Sequence, residues 1–264
     1  EPNVYAAGHG RAMYDYATEA AIWLPCALSS ARFAGVPFAR LPNGMPPPAW
    51  LLRCASLRAQ GKLRGDTVAE QAEQGYQHLQ ARGWTDEAMS TAASTTAFDL
   101  WRVITAGYAS SYLRRGATDM PCGFRYAVLG VGGLPGATDP FARAGWWADG
   151  AGIPPDKSIG LFGGTQVSTD PTLIGMECLR ALWTGDDHEA QALHASIVAT
   201  AARLPRSDLP LWIVHGAGDG LLPTAFSSEP YVAWLRGKGR EPIYWRVPYA
   251  QHFDAFLALP GFGE

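Results

Sequence analysis

Residues 211–247 restrict the fold more tightly than any other stretch, because they read as strand, glycine turn, helix and strand. Leu211-Trp212-Ile213-Val214 is a short apolar run of strong β-formers, and His215-Gly216-Ala217-Gly218-Asp219-Gly220 loosens the backbone after it. Tyr231, Val232 and Leu235 mark a helix that Gly237 and Gly239 stop, and Ile243-Tyr244-Trp245-Arg246-Val247 is a second β-run. Two strands joined through a helix are parallel, with a right-handed crossover, and parallel strands are ordinarily buried on both faces. Such a pair alone leaves two open edges and little surface on which to bury its Trp- and Leu-rich material. The unit therefore predicts part of a larger sheet.

From about residue 10 to 205 the recurrent signal is helical instead. Asp66-Thr67-Val68-Ala69-Glu70 contains a capping box, after which Ala69, Ala72, Tyr76 and Leu79 keep one apolar face until Gly83. Phe98, Trp101, Ile104, Tyr108 and Tyr112 recur at three- and four-residue steps before Gly116. Asp170-Pro171 reads as an N-cap with Pro in the first turn, opening a helix that carries Ile174, Cys178 and Leu182. Asp186 with Glu189 starts another, whose stripe is Leu193, Ile197 and Ala201, ending before Pro205. These stripes read as packing surfaces. Pro46-Pro47-Pro48 reads as a short stiff stop, and 117–168 as Gly/Pro-rich loop with one strand-like run, Phe124 to Leu129. So long an irregular stretch is a lid, a binding loop or an unrecognised element. The expected fold class is α/β: a βαβ unit of parallel sheet with a large, mainly helical insertion.

Composition removes several functions. Lys+Arg 21 against Asp+Glu 24 gives a formal net charge of -3, which suits neither a nucleic-acid partner nor a polybasic membrane surface. No run of about 20 apolar residues is present, so no membrane span is expected. Glu1-Pro2-Asn3-Val4-Tyr5 has no basic or apolar leader pattern, so no targeting peptide is expected at this point of the chain. Cys26, Cys54, Cys122 and Cys178 lie far apart without a C-x-x-C pair, which argues against zinc. They allow two disulfides in an oxidising compartment or four buried thiols, and spacing does not choose between these. Asp139, Asp149 and Asp156 have no calcium-loop spacing and read as turn formers; neither a metal nor an organic cofactor is expected.

The chemistry sits after the two strands. In doubly wound sheets, functional groups lie on loops at the carboxyl ends of strands, and Asp219 and His252 each follow one. Neighbouring parallel strands bring those ends to one rim. A carboxylate there can accept the imidazole Nδ1–H, fix the tautomer and stabilise the imidazolium formed when Nε2 takes a proton. Taken singly, an Asp in a Gly-rich turn is a turn former and a His after a strand is a surface residue; the ordered pair is the signal. Asp before His matches the chain order Ser…Asp…His of α/β-hydrolases. The nucleophile is missing: no G-x-S-x-G occurs, and Ser56, Ser94, Ser110, Ser111 and Ser158 lack the strand-to-helix turn that exposes a reactive hydroxyl. The serine and its oxyanion donors are expected upstream of Glu1.

His215 through Pro223, Tyr244-Trp245-Arg246-Val247 and the run Ala250-Gln251-His252-Phe253-Asp254-Ala255-Phe256-Leu257-Ala258-Leu259-Pro260 resemble the D-(-)-3-hydroxybutyrate oligomer hydrolases. Glu1-Pro2-Asn3-Val4-Tyr5 and Tyr14-Asp15-Tyr16-Ala17-Thr18 resemble the region after that family's nucleophile-bearing strands. The likeness is dense over the last fifty or so residues and patchy but collinear elsewhere. It implies an α/β-hydrolase in which 1–9 end an upstream catalytic segment, 10–205 form a helical lid and 206–264 return to the catalytic domain. It implies hydrolysis of short 3-hydroxybutyrate oligomers, with Asp219 as acid and His252 as base. An upstream polypeptide segment would supply the serine, and an export signal in the family implies a secreted or periplasmic protein.

Trp146 and Trp147, in a Gly-flanked loop, are candidates for an apolar wall against a methyl-bearing ester chain, or else anchors of that loop. Two other functions fit the same residues: a broader polyester or feruloyl/tannin-type esterase, and a non-catalytic scaffold or binding fragment.

Overall fold

The computed structural model describes residues 10–130, 134–136, 159–163, 170–252 and 254. Six helices come first: α1 (Met13–Ala27), α2 (Pro48–Ala59), α3 (Val68–Ala81), α4 (Asp86–Thr91), α5 (Ala93–Ala97) and α6 (Leu100–Tyr112). Strands β1 (Arg125–Leu129), β2 (Pro135–Gly136) and β3 (Ile159–Phe162) follow, then α7 (Pro171–Thr184) and α8 (His188–Ala199). The described elements end with β4 (Trp212–Gly216), α9 (Ser228–Gly237) and β5 (Ile243–Val247). This is a mixed helix-and-sheet fold with small sheets. No helix among the described residues is long and apolar enough to cross a membrane.

Helix α1 is the centre of the helical part. Every residue from Tyr14 to Ile22 is buried, as a helix enclosed on all sides requires, and α2, α3, α6 and α7 pack around it. Ala17, Ala20 and Ala21 admit those neighbours closely, while Tyr14 donates to the Leu179 carbonyl of α7 at 2.8 Å. Two carboxylates lie inside this apolar setting and are matched from three directions. Asp15 pairs with Arg11 at 2.8 Å and Arg180 at 2.6 Å. Glu19 pairs with Arg82 at 2.8 Å and Arg11 at 2.9 Å, and accepts from Trp84 Nε1 at 3.1 Å. Near the end of α1, Pro25 has no N–H for the Ala21 carbonyl, and the buried Arg53 guanidinium donates to that carbonyl instead. Arg53 also binds Asp170, the residue that caps α7.

Several expected helix starts are present. Thr67 and Glu70 make the reciprocal capping box, and Asp170 caps α7 with Pro171 in its first position. Others shift by a residue or two. Asp187 rather than Asp186 caps α8, accepting from Ala190 N at 2.9 Å. Phe98 lies outside α6 and is exposed, Ala201 lies beyond the end of α8, and Ile174 faces outward while Leu173, Met176, Leu179 and Leu182 are buried. Pro46-Pro47-Pro48 opens α2 rather than ending anything, because Pro48 at the first helical position needs no N–H partner. The stretch read mainly as loop contains an antiparallel sheet of order β2-β1-β3, in which Val128 pairs with both Gly136 and Ile159. Two of its strands are too short or glycine-rich to announce themselves. All four cysteines are oxidised: Cys26–Cys54 ties α1 to α2, and Cys122–Cys178 ties the approach to β1 to α7.

Strands β4 and β5 are parallel and in register from Trp212↔Ile243 to Gly216↔Val247, as the βαβ reading requires. Burial on both faces is not observed. Trp212, Val214 and Trp245 share one face and are 62%, 61% and 56% exposed, whereas Ile213, His215 and Tyr244 on the other are half-buried. The βαβ unit joins the helical core through the connection after β4. Leu221 and Phe226 are buried there, with Phe226 stacked on Tyr16 at 5.2 Å between ring centroids.

Truncating Glu19 takes the acceptor from the buried Trp84 indole and from Arg82 and leaves Arg11 and Arg180 to share Asp15. Glu19→Ala is expected to lower unfolding free energy by about 3–5 kcal/mol, read by urea denaturation. Reducing both disulfides is expected to cost roughly 3–4 kcal/mol each by loop entropy, read as a fall in Tm. Burial disfavours ionised Asp15 and Asp170, yet their arginine partners outweigh it and hold both carboxyls below the usual range. A depressed carboxyl adds stability that is present above its unfolded value and lost as pH falls through its folded value. Urea midpoints are therefore expected to hold above about pH 4 and to drop below it.

Candidate active site

Where β4 and β5 end, their loops are sewn together by main-chain bonds that continue the parallel ladder. Ala217 N donates to the Val247 carbonyl at 2.8 Å, and Gly218 N to that of Ala250 at 2.9 Å. This closeness needs glycine at 216, since a Cβ there would stand 2.3 Å from the Ala250 oxygen. On the other side the loop meets the helices, with Thr95 Oγ1 donating to the Gly220 carbonyl at 2.9 Å. The second loop turns at Tyr249, whose φ of 62° is a left-handed conformation unusual for a side-chain-bearing residue. Asp254 then steadies it by accepting from Gln251 N at 2.9 Å.

Asp219 and His252 come together at this rim. His252 Nδ1 lies 3.0 Å from Asp219 Oδ2, and the other carboxylate oxygen accepts from the amides of Leu221 at 2.9 Å and Leu222 at 2.7 Å. Asp219 is 7% exposed. Burial opposes its ionisation, but the facing His215 and His252 imidazoles and the Leu222 amide prevail and hold the carboxyl far below the usual carboxylate range. The carboxylate is thus a fixed anion that accepts Nδ1–H, leaving Nε2 as the ring nitrogen for proton transfer.

A cavity of about 440 Å³ opens beside the pair. Met13 and Tyr16 of α1, Tyr108 and Tyr112 of α6, and Leu222 form walls around His252, so the site is mostly apolar and aromatic with a polar floor. Burial pushes the Tyr112 phenol up to about 12, so it stays a neutral hydroxyl. Tyr108 and Tyr112 read from sequence as packing residues; their 3.6-residue spacing is the same for a core stripe and a cavity wall. His215 reads from sequence as the start of the glycine turn; in the structure it is in β4, on the same face as Ile213 and against Ser228 of α9. Its Nε2 is 3.6 Å from Asp219 Oδ2 and its Nδ1 is 2.5 Å from Ser228 Oγ.

Trp146, Trp147 and Ser158 lie outside the described residues. Ser56 is within α2, Ser94 within α5, and Ser110 and Ser111 within α6. Of these, Ser94 and Ser110 donate to the backbone carbonyls of Thr91 and Arg115. Two serines do line the cavity, Ser227 and Ser228, but Ser227 donates to the Pro223 carbonyl and Ser228 bonds His215 and Tyr244. Among the described residues no group of three or more His, Cys, Asp or Glu is arranged to hold a metal ion.

A family model described as 3HB-oligomer hydrolase (3HBOH) matches residues 2–264. The chain belongs to that family. It is 33% identical over 275 residues to a protein of Cupriavidus pinatubonensis named "D-(-)-3-hydroxybutyrate oligomer hydrolase", covering 97% of this chain and 38% of that protein. Proteins of the same name from Azoarcus sp. (strain BH72) and Burkholderia thailandensis are 34% and 33% identical, covering 97% and 98% of this chain and 39% and 38% of their own lengths. The chain thus spans well under half of these relatives. No solved structure matches it.

Gly216→Ala tests the close approach of the two loops in this 3HB-oligomer hydrolase family member. The added methyl group has to displace the Ala250 carbonyl, with an expected loss of about 1–3 kcal/mol in chemical denaturation. The His252 ring resonances are expected to shift with it, while far-ultraviolet circular dichroism keeps its helical signal.

Proposed function

We propose that this chain carries the acid and base of a carboxylic-ester hydrolase that cleaves 3-hydroxybutyrate oligomers to monomers. The observation that carries the reading is the 3.0 Å contact between Asp219 Oδ2 and His252 Nδ1 at the rim of an aromatic cavity. In the proposed Ser-His-Asp mechanism, His252 Nε2 accepts the serine proton as the hydroxyl oxygen attacks the ester carbonyl. The imidazolium, steadied by Asp219, then protonates the departing alkoxide oxygen. In the second half His252 takes a proton from water as it attacks the acyl-serine, then returns that proton to the departing serine oxygen as the acid is released. A methyl-bearing aliphatic ester suits walls of Met13, Leu222 and tyrosine.

The serine, in this reading, comes from a segment that precedes Glu1 in the full-length protein. Supporting it are the engagement of the two cavity serines elsewhere and the unpaired apolar face of β4 and β5. Trp212, Val214, Ile243, Trp245 and Val247 are all more than one-third exposed there, which fits a surface that further elements of an α/β-hydrolase cover. Residues 10–205 would then be the helical lid and 206–264 the return to the catalytic domain. The two disulfides favour a secreted or periplasmic setting.

The test is release of 3-hydroxybutyrate from its trimer by the full-length protein, with p-nitrophenyl butyrate and a feruloyl ester as alternative substrates. Trimer hydrolysis is expected to dominate. His252→Ala is expected to lower kcat by up to about 10⁶-fold and Asp219→Asn by roughly 10⁴-fold. Undiminished turnover in His252→Ala, or a preference for the feruloyl ester, contradicts the reading.

A further inference from the structure

Asp219 has a second imidazole beside it, which the proposed mechanism does not use. His215 lies on β4 and is 12% exposed in its side chain. Its Nε2 faces the same oxygen, Oδ2, that His252 engages. Behind it, Nδ1 is 2.5 Å from Ser228 Oγ on α9, and that hydroxyl is 2.8 Å from the Tyr244 hydroxyl on β5. Four side chains from one strand, the next loop, the crossover helix and the neighbouring strand therefore form a continuous polar line: Tyr244, Ser228, His215, Asp219. His252 closes it at the cavity.

The chemistry of the groups orients the protons along this line. Asp219 is an anion, so an Nε2 lone pair aimed at it is repelled and an Nε2–H is attracted. A neutral imidazole protonated on Nε2 has an acceptor at Nδ1. Ser228 meets that acceptor by donating its single proton, and its own oxygen then accepts from the Tyr244 hydroxyl. Every hydroxyl and ring nitrogen in the line is used in one direction. Resting on the hydrolase reading of the site, we propose that His215 is a positioning residue whose Nε2–H faces the Asp219 carboxylate and which, anchored by Ser228 and Tyr244, holds that carboxylate in line with His252.

The arrangement explains a feature of Asp219 that two histidines alone would not. Its Oδ1 is fixed by the Leu221 and Leu222 amides, while at Oδ2 the one printed hydrogen bond is to His252, the ring whose placement the carboxylate has to set. The His215 contact restrains Oδ2 independently of that ring. At 3.6 Å that contact is longer than a hydrogen bond, and catalytic bonds commonly shorten when a site is occupied. Because His215 acts through Asp219, its loss changes the chemical step more than substrate binding.

Two measurements test this, and the first does not depend on catalysis. In protein labelled with ¹⁵N-histidine at alkaline pH, where imidazoles are neutral, the His215 ring is expected to show a protonated Nε2 and a bare Nδ1, its signals identified by their loss in His215→Gln. In Tyr244→Phe and Ser228→Ala the Nδ1 signal is expected to move. A His215 protonated on Nδ1, or a signal indifferent to both substitutions, overturns the proposal. The second measurement is trimer hydrolysis by the full-length protein. His215→Ala is expected to lower kcat by roughly 10²-fold with KM nearly unchanged, the scale set by small misplacement of reacting groups. His215→Gln, which keeps a donor at the Nε2 position, is expected to recover part of that loss, and Ser228→Ala added to His215→Ala to cost little more. Unchanged kcat in His215→Ala, or a loss in KM alone, overturns it. If no variant or parent hydrolyses the trimer, the hydrolase reading fails while the ring signals still decide the tautomer.

Discussion

The helical part of this protein is organised around two buried acids on one helix. Asp15 and Glu19 stand one turn apart on α1, enclosed by apolar and aromatic side chains, and neither is tolerable there as an unpaired charge. Arg11 just before α1, Arg82 after α3 and Arg180 on α7 converge on them. Each guanidinium has to arrive from its own segment, so satisfying the charges also fixes where those segments lie relative to α1. Apolar packing alone supplies much of the stability but is less demanding about direction. Arg53 repeats the principle at the other end of α1, where it answers a carbonyl that Pro25 cannot and binds the cap of α7.

That framework reaches the site through Tyr16. Its ring stacks on Phe226, which lies between β4 and α9, and the same residue forms part of the cavity wall. Met13 belongs to the same helix, and Tyr108 and Tyr112 to a helix packed against it. The cavity is therefore built between a helical wall and a floor of two loops. The floor has its own constraint. Parallel register carries β4 and β5 to a common rim, and the missing side chain at Gly216 lets their loops touch. Asp219 is then buried against His252 with all its donors in place, and stays ionised despite its enclosure.

Much of this was legible residue by residue. The capping box at Thr67 and Glu70 and the Asp170-Pro171 start are local hydrogen-bond signals, and both appear where the spacing puts them. The βαβ unit was legible because the switch from helical to strand periodicity is abrupt. Where reading slipped, competing local choices were nearly equal: Asp186 and Asp187 are both good caps, and the choice fell to the one aligned with the Ala190 amide. Strands β2 and β3 were illegible, since Pro135-Gly136 and Ile159-Gly160-Leu161-Phe162 acquire strand geometry only by pairing with β1. The buried face of α7 is not legible at Ile174, because apolar residues run almost without break from Leu173 to Met176 and the pattern leaves that face undecided.

The amino-acid sequence by itself determined most of the helices, the β4–α9–β5 unit with its parallel sense, and the pairing of an acid with a histidine at their shared rim. These follow from short-range rules of capping, periodicity and crossover handedness, which act within a few residues or within one βαβ unit. Only tertiary structure decided the partners of the cysteines, the three arginines that meet α1, the tyrosines that face a cavity rather than a core, and the line from Tyr244 through His215. Those depend on approach between segments distant in the chain, where many residues of the right type compete. The outcome is chosen by which set buries its charges and apolar surface together.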